Sequence, residues 1–216
     1  MLRKPLQFYL PARKPSYIPS WNVIPPTNVI FQRIDGHGLP PIFALVIGID
    51  EYQSPDYNNL ACAASDADRF QGFLTDTLKV PQDRIISLRD KNATRAGIVA
   101  AFEQLGTDSR IPKNEAAIII YFAGHGTRDT KPKEWIDWHT PDENIKQLCP
   151  SDIGIQVSDS KELIPGIPDR TISRLLNRIA KAKGDNIVRS RLFYTTRLIF
   201  PDFGRLDVDL RLLLFK

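Results

Sequence analysis

Residues 116–123 read Ala-Ala-Ile-Ile-Ile-Tyr-Phe-Ala and run straight into Gly124-His125-Gly126. An uninterrupted apolar run of this length, rich in β-branched and aromatic residues, predicts a strand from Ala116 to Phe122 buried on both faces, as strands of parallel sheets are. Such a strand must be covered by helices on each side, which restricts the chain to α/β architectures. In open α/β sheets the ligand crevice lies at the carboxyl ends of the strands. The run therefore delivers one imidazole, between two glycines, to the place where such folds do chemistry.

The rest of the chain fits that frame. Phe43 to Ile49 is a second apolar run, followed by Asp50-Glu51-Tyr52. A helix is expected to open at Ser65-Asp66, with Ala67, Phe70, Leu74 and Leu78 at helical spacing, and to stop before Pro81. Ile85 to Leu88 reads as a short strand. Thr94 caps a helix that carries Ile98, Phe102 and Leu105 on one face. Asp169 caps another, reaching about Ala182, with Ile172, Leu175, Leu176 and Ile179 as its apolar stripe. Strands alternating with helices predict a mainly parallel sheet with helices on both faces. Between Arg128 and Gly166 lies a long, mostly irregular excursion that contains Trp135, Trp138 and His139, far longer than an ordinary connection and of the kind that carries function.

Eight of the first 41 residues are proline, which removes backbone donors and blocks helix, so residues 1–40 read as a flexible leader. His37, in Asp35-Gly-His-Gly-Leu39, has no strand before it and reads as loop. The net charge of +4 resides at the ends. Residues 1–40 hold five Lys/Arg against one acid and residues 187–216 hold six against three, leaving 18 basic and 21 acidic residues between them. A slightly acidic centre gives no reason to expect nucleic acid as a partner. No stretch approaches the ~20 apolar residues of a membrane helix, and the N-terminus lacks the apolar core of a secretory signal. The expectation is a cytoplasmic, or nuclear, protein. Cys62 and Cys149 make no disulfide framework, and no metal site is expected because ligating residues are not clustered.

The strand ending in Tyr121-Phe-Ala-Gly-His125-Gly126, the earlier strand with Asp50-Glu51-Tyr52, and Leu60-Ala-Cys-Ala-Ala-Ser-Asp66 at the start of the next helix together resemble the caspase-like cysteine endopeptidases (peptidase C14), most closely the metacaspase branch. The resemblance spans about Pro41 to Ile187. It implies peptide hydrolysis with His125 as acid/base and Gly126 as an oxyanion donor, where the absence of Cβ permits close approach. It also implies Asp66 in the pocket for the residue before the cleaved bond, with Ala123 and Asp152 as further substrate-binding positions, the latter in Cys149-Pro-Ser-Asp152. Asp66 has an equally plain reading as a first-turn carboxylate favoured by the helix dipole. No arginine lies between Gln53 and Asp68 to hold an acidic substrate residue, so the implied preference is Arg or Lys. Calcium activates several metacaspases, yet Asp169 is followed by Arg170, and the carboxylates available fall short of the oxygen ligands calcium takes. No cofactor is expected.

One element of the pattern is missing. The family carries an Asp-x-Cys-His-Ser-Gly signature, with its nucleophile, on the strand after the helix that ends near Ala182. This chain has Lys183-Gly-Asp-Asn-Ile-Val-Arg-Ser-Arg-Leu-Phe-Tyr194 there. Cys149 has no local electropositive setting that would make it a substitute. From Val188 to Lys216 the chain becomes an atypical basic and apolar tail. Either a splice or frameshift product replaces the natural continuation, or a diverged strand within Ile187 to Ile199 fills the sheet. The expected architecture is thus a caspase-like domain over residues 41–187 whose C-terminal part is incomplete or replaced.

Two functions follow: an endopeptidase domain inactive for lack of its nucleophile, or a catalytically silent module that binds a full-length caspase-like relative. A nucleotide-binding module would need a glycine-rich phosphate loop after Val46-Ile-Gly-Ile-Asp50, and a serine hydrolase a Gly-x-Ser-x-Gly elbow. Neither is present.

Overall fold

The computed structural model describes residues 40–135, 137, 144–158 and 160–194. The proline-rich leader with His37, the loop residues Trp138 and His139, and the tail beyond Tyr194 lie outside the described residues.

Strand β1 (Ile42–Gly48) leads through a loop to helix α1 (Ala63–Gly72), which loosens into one wider turn, Phe73–Thr77. Strand β2 (Ile85–Arg89), helix α2 (Arg95–Thr107) and strand β3 (Ala117–Thr130) follow. Next come β4 (Asn144–Leu148), the short β5 (Ile167–Pro168), helix α3 (Asp169–Lys183) and β6 (Ile187–Tyr194). The parallel strands lie in the order β2–β1–β3–β6. Beyond them β3 pairs antiparallel with β4, and β4 with β5.

Side-chain alternation along the strands sorts the core onto two faces. Ala44, Val46, Ile119, Tyr121 and Ala123 pack with Ala63 and Ala67 of α1. Phe43, Leu45, Ile47, Ile118, Ile120 and Phe122 face α2 and α3, whose expected stripes, Ile98, Phe102 and Leu105 and then Ile172, Leu175, Leu176 and Ile179, are all buried. The fold is α/β, with a mainly parallel sheet between helices, as the patterning predicts. Among the described residues no helix is long and apolar enough to cross a membrane.

Several details depart from the sequence reading. Helix α1 begins at Ala63, ahead of Ser65-Asp66, because its first amides are received from outside: the Asp50 carboxylate accepts from the Ala63 N–H at 2.7 Å and from the Ala64 N–H at 3.2 Å. Asp169 is the first residue of α3, and its carboxylate accepts from the adjacent Arg170 N–H. Thr94 does cap α2, accepting from Gly97 N–H at 3.1 Å. The excursion after Arg128 is not simply irregular, since it contributes β4, β5 and a Gln156–Leu163 bridge. Most important for the site, β3 runs on through Gly-His-Gly to Thr130.

The strand after α3 is present in the sheet. β6 pairs in parallel with β3 from Ile118–Ile187 to His125–Tyr194, so the pairing continues past the expected break at Ile187. Arg189 is exposed and borders a small cavity of about 20 Å³ otherwise lined by apolar side chains, among them Ile47, Phe102, Phe122 and Leu176.

Candidate active site

His125 sits where β3 exchanges partners. β1 ends opposite Ala123, and the antiparallel ladder with β4 begins at Gly126–Leu148. The last bond from the β1 side is Ile49 N–H to Ala123 O, at 3.0 Å; the first from the β4 side is Cys149 N–H to His125 O, also at 3.0 Å. Between them the backbone N–H of His125 would be a buried orphan. The hydroxyl of Tyr52 accepts it at 2.7 Å.

His125 is 5% exposed. Its Nε2 lies 2.7 Å from the backbone carbonyl oxygen of Asn58. A carbonyl can only accept, so Nε2 carries a proton, and Nδ1 is the ring nitrogen able to act as base in the neutral form. The Tyr52 ring flanks the imidazole, centroids 4.8 Å apart and tilted by 41°. Both contacts come from the loop between β1 and α1, which is tied down throughout. Asp90 Oδ1 accepts from the Asp50 and Glu51 N–H groups, Asn59 Oδ1 accepts from Tyr52 N–H, and Leu60 N–H donates to the Asp50 carbonyl. Burial raises the Tyr52 hydroxyl well above the usual phenol range, so it is un-ionised at neutral pH.

Gly124 makes the Tyr52 contact possible. A Cβ there would stand 2.9 Å from Phe122 Cζ and 3.1 Å from the Tyr52 hydroxyl oxygen. The bond from Cys149 N–H to His125 O sends the polar backbone of His125 toward β4, and that of Gly126 to the opposite side of β3, where β6 runs.

The other sequence candidates fall in two places. Ala123 is fully buried and, with Tyr121, faces α1; strand alternation puts His125 on the same side. Asp66 belongs to this face too. After burial, its carboxylate is the next cause raising the Tyr121 hydroxyl to about 12, and it pairs with Arg69 at 3.3 Å. Asp152 is elsewhere: its carboxylate accepts from Arg95 N–H at 2.7 Å, at the first turn of α2. Cys149 is fully buried, and burial pushes its thiol up to about 12. It is a protonated core side chain at neutral pH. Cys62, just before α1, is exposed.

Tyr52 and the Asn58 carbonyl were not singled out by sequence reasoning. Tyr52 had a signal, since it lies just past the carboxyl end of β1, where site residues of such sheets collect. A main-chain carbonyl has none.

The model of the caspase domain matches residues 42–157, and no curated protein matches. A structural-genomics crystal structure of a Geobacter sulfurreducens protein is similar with a TM-score of 0.49 and 17% identity, over 70% of this chain and 49% of that one. The chain thus spans about half the length of that protein. Because the caspase-domain match, from β1 through β4 and the histidine between them, takes in more than half of the 216 residues, the chain belongs to the caspase-domain family.

Proposed function

We propose that His125 is the acid/base of a metacaspase-type cysteine endopeptidase site which, in a complete homologue, hydrolyses peptides after Arg or Lys. In that reaction Nδ1 takes the thiol proton, the thiolate attacks the scissile carbonyl, the Gly126 N–H donates to the developing oxyanion, and the imidazolium gives the proton to the leaving amine; a water deprotonated by the same imidazole then cleaves the thioester, and the thiolate recovers its proton. Asp66, on the same side of β3 as Ala123, holds the basic side chain, and no cofactor takes part. The observation that carries this reading is the ring itself, buried and bonded through Nε2 to Asn58 O.

The chain as it stands is inactive. Its two thiols are Cys62 and Cys149, and neither lies on β6. The register sets Leu192 beside Ala123 and Tyr194 beside His125, so a family-type Asp-x-Cys would fall at residues 192 and 194. The test is the Leu192→Asp/Tyr194→Cys variant. It is expected to cleave Arg- and Lys-containing peptides, and to lose that activity on His125→Ala. Cleavage that survives His125→Ala, or none from a folded variant, refutes the reading.

The continuous β3–β6 pairing favours a second reading: a sheet completed without a nucleophile suits a silent module that binds a full-length caspase-like relative inside the cell. Titration of this chain against such a protein distinguishes it. Arg189 beside an apolar cavity supports the view that the segment from Val188 is a splice or frameshift product. Sequencing of the locus and transcript across codons 180–216 tests that.

A further inference from the structure

We propose that Tyr52 is the positioning residue of His125, its hydroxyl standing in for the missing next residue of β1 and its ring fixing the plane of the imidazole. This rests on the reading of His125 as the acid/base. β1 diverges after pairing Ala123, and β4 begins only at Gly126, so one peptide unit of β3 has no strand on that side. A parallel sheet would ordinarily satisfy it with a main-chain carbonyl. Here the acceptor is the Tyr52 oxygen, at 2.7 Å, and the side chain that provides it also flanks the imidazole at 4.8 Å.

One residue therefore controls both the backbone from which the imidazole projects and the side of the ring. Asn58, six residues on in the same loop, receives the ring's Nε2 proton. Tyr52 is in turn held through its own N–H by Asn59, so these contacts link loop, phenol and imidazole. Gly124 leaves room for it. A phenylalanine at position 52 would fill the same space but could not accept the His125 N–H, so the backbone from which the imidazole projects would lose its anchor and the ring would shift with it.

The test is ¹⁵N NMR on the full chain and on Tyr52→Phe. In the unmodified chain the His125 amide should exchange as slowly as the interior amides of β3, and its ring should give the Nε2–H pattern. In Tyr52→Phe, with a cooperative melt retained, amide exchange should quicken about tenfold or more and the ring signals should move toward a tautomer mixture. Faster exchange with an unchanged ring would reduce Tyr52 to a backbone partner and overturn the proposal, as would no change in either. Should Tyr52→Phe fail to fold, the unmodified chain decides: protection of the His125 amide supports the assignment, and exchange at the rate of a loop amide overturns it. In the Leu192→Asp/Tyr194→Cys background, Tyr52→Phe should lower kcat by about tenfold with KM held. The NMR result stands whether or not that background cleaves peptides, so the two readings fail separately.

Discussion

His125 Nε2 and the carbonyl oxygen of Asn58 lie 2.7 Å apart across 67 residues of sequence. The acceptor belongs to the backbone, so no substitution at Asn58 removes it, and the loop that carries it is pinned at Asp50, Tyr52 and Leu60. The tautomer is thus set by the fold. Ring ¹⁵N shifts of the neutral form should show Nε2 protonated and Nδ1 unprotonated. Asp90→Ala, which frees the Asp50 and Glu51 N–H groups, should loosen the loop and broaden those signals. An Nδ1–H ring would contradict the arrangement.

Arg189 points to a second measurement. It neighbours Ile120 in register and lines the cavity with Ile47, Phe102 and Leu176. An aliphatic side chain there would bury apolar surface and shrink the void. Arg189→Ile is therefore expected to stabilise the protein by about 1–2 kcal/mol. In urea the midpoint should rise with an unchanged slope, and the melt should move up by about 2–8 °C. A lower midpoint would mean that the arginine has a use in the folded sheet.

The two thiols differ enough to be counted separately. Cys62 is exposed and Cys149 fully buried, so a thiol reagent at pH 8 should label one site per chain quickly and the second only on unfolding. Burial raises the folded Cys149 thiol from an ordinary 9.0 to about 12. The unfolded chain therefore releases that proton first as pH climbs. The stabilisation is complete below about pH 9 and is lost as pH rises toward 12. Buried Tyr52 and Tyr121 shift in the same direction, so the informative quantity is the difference from Cys149→Ala, whose urea midpoint should fall less steeply over that range.

Much of this fold is legible in the sequence because its signals are local. The apolar run at 116–122, the Thr94 cap and the 3.6-residue stripe of α3 each lie within a few residues of the structure they cause. The errors share a different origin. The start of α1 is set by Asp50, thirteen residues upstream, so a search for a local cap finds Ser65-Asp66 instead. The extension of β3 through Gly-His-Gly-Thr-Arg-Asp-Thr carries no apolar period; its partner is β4, distant in sequence. His125 was visible as a histidine at the end of a strand. The groups that orient it were not, since one is a carbonyl and the other a tyrosine whose partner is a backbone amide.

Gly48 offers a last test, of the seam that sets α1 and Asp66 against the sheet. It pairs with Ala123 and Arg89 at the end of β1. A Cβ at this position would come within 2.6 Å of Ala67 Cβ, 2.8 Å of the Ala63 carbonyl oxygen and 2.9 Å of Ala64 Cα. Two of these neighbours are backbone, which cannot yield by a rotamer change, so α1 as a whole would have to withdraw. Gly48→Ala should therefore destabilise by about 1–3 kcal/mol, more than a glycine on an open surface would suggest. Because the helix carries Asp66 and abuts the loop that holds His125, the same substitution should disturb the His125 ring signals. Gly72→Ala is the control: its Cβ would meet only Asp76 Oδ2, at 3.8 Å, and helical propensity there favours alanine. Equal losses from the two substitutions would show that the close α1–β1 contact does not set this seam.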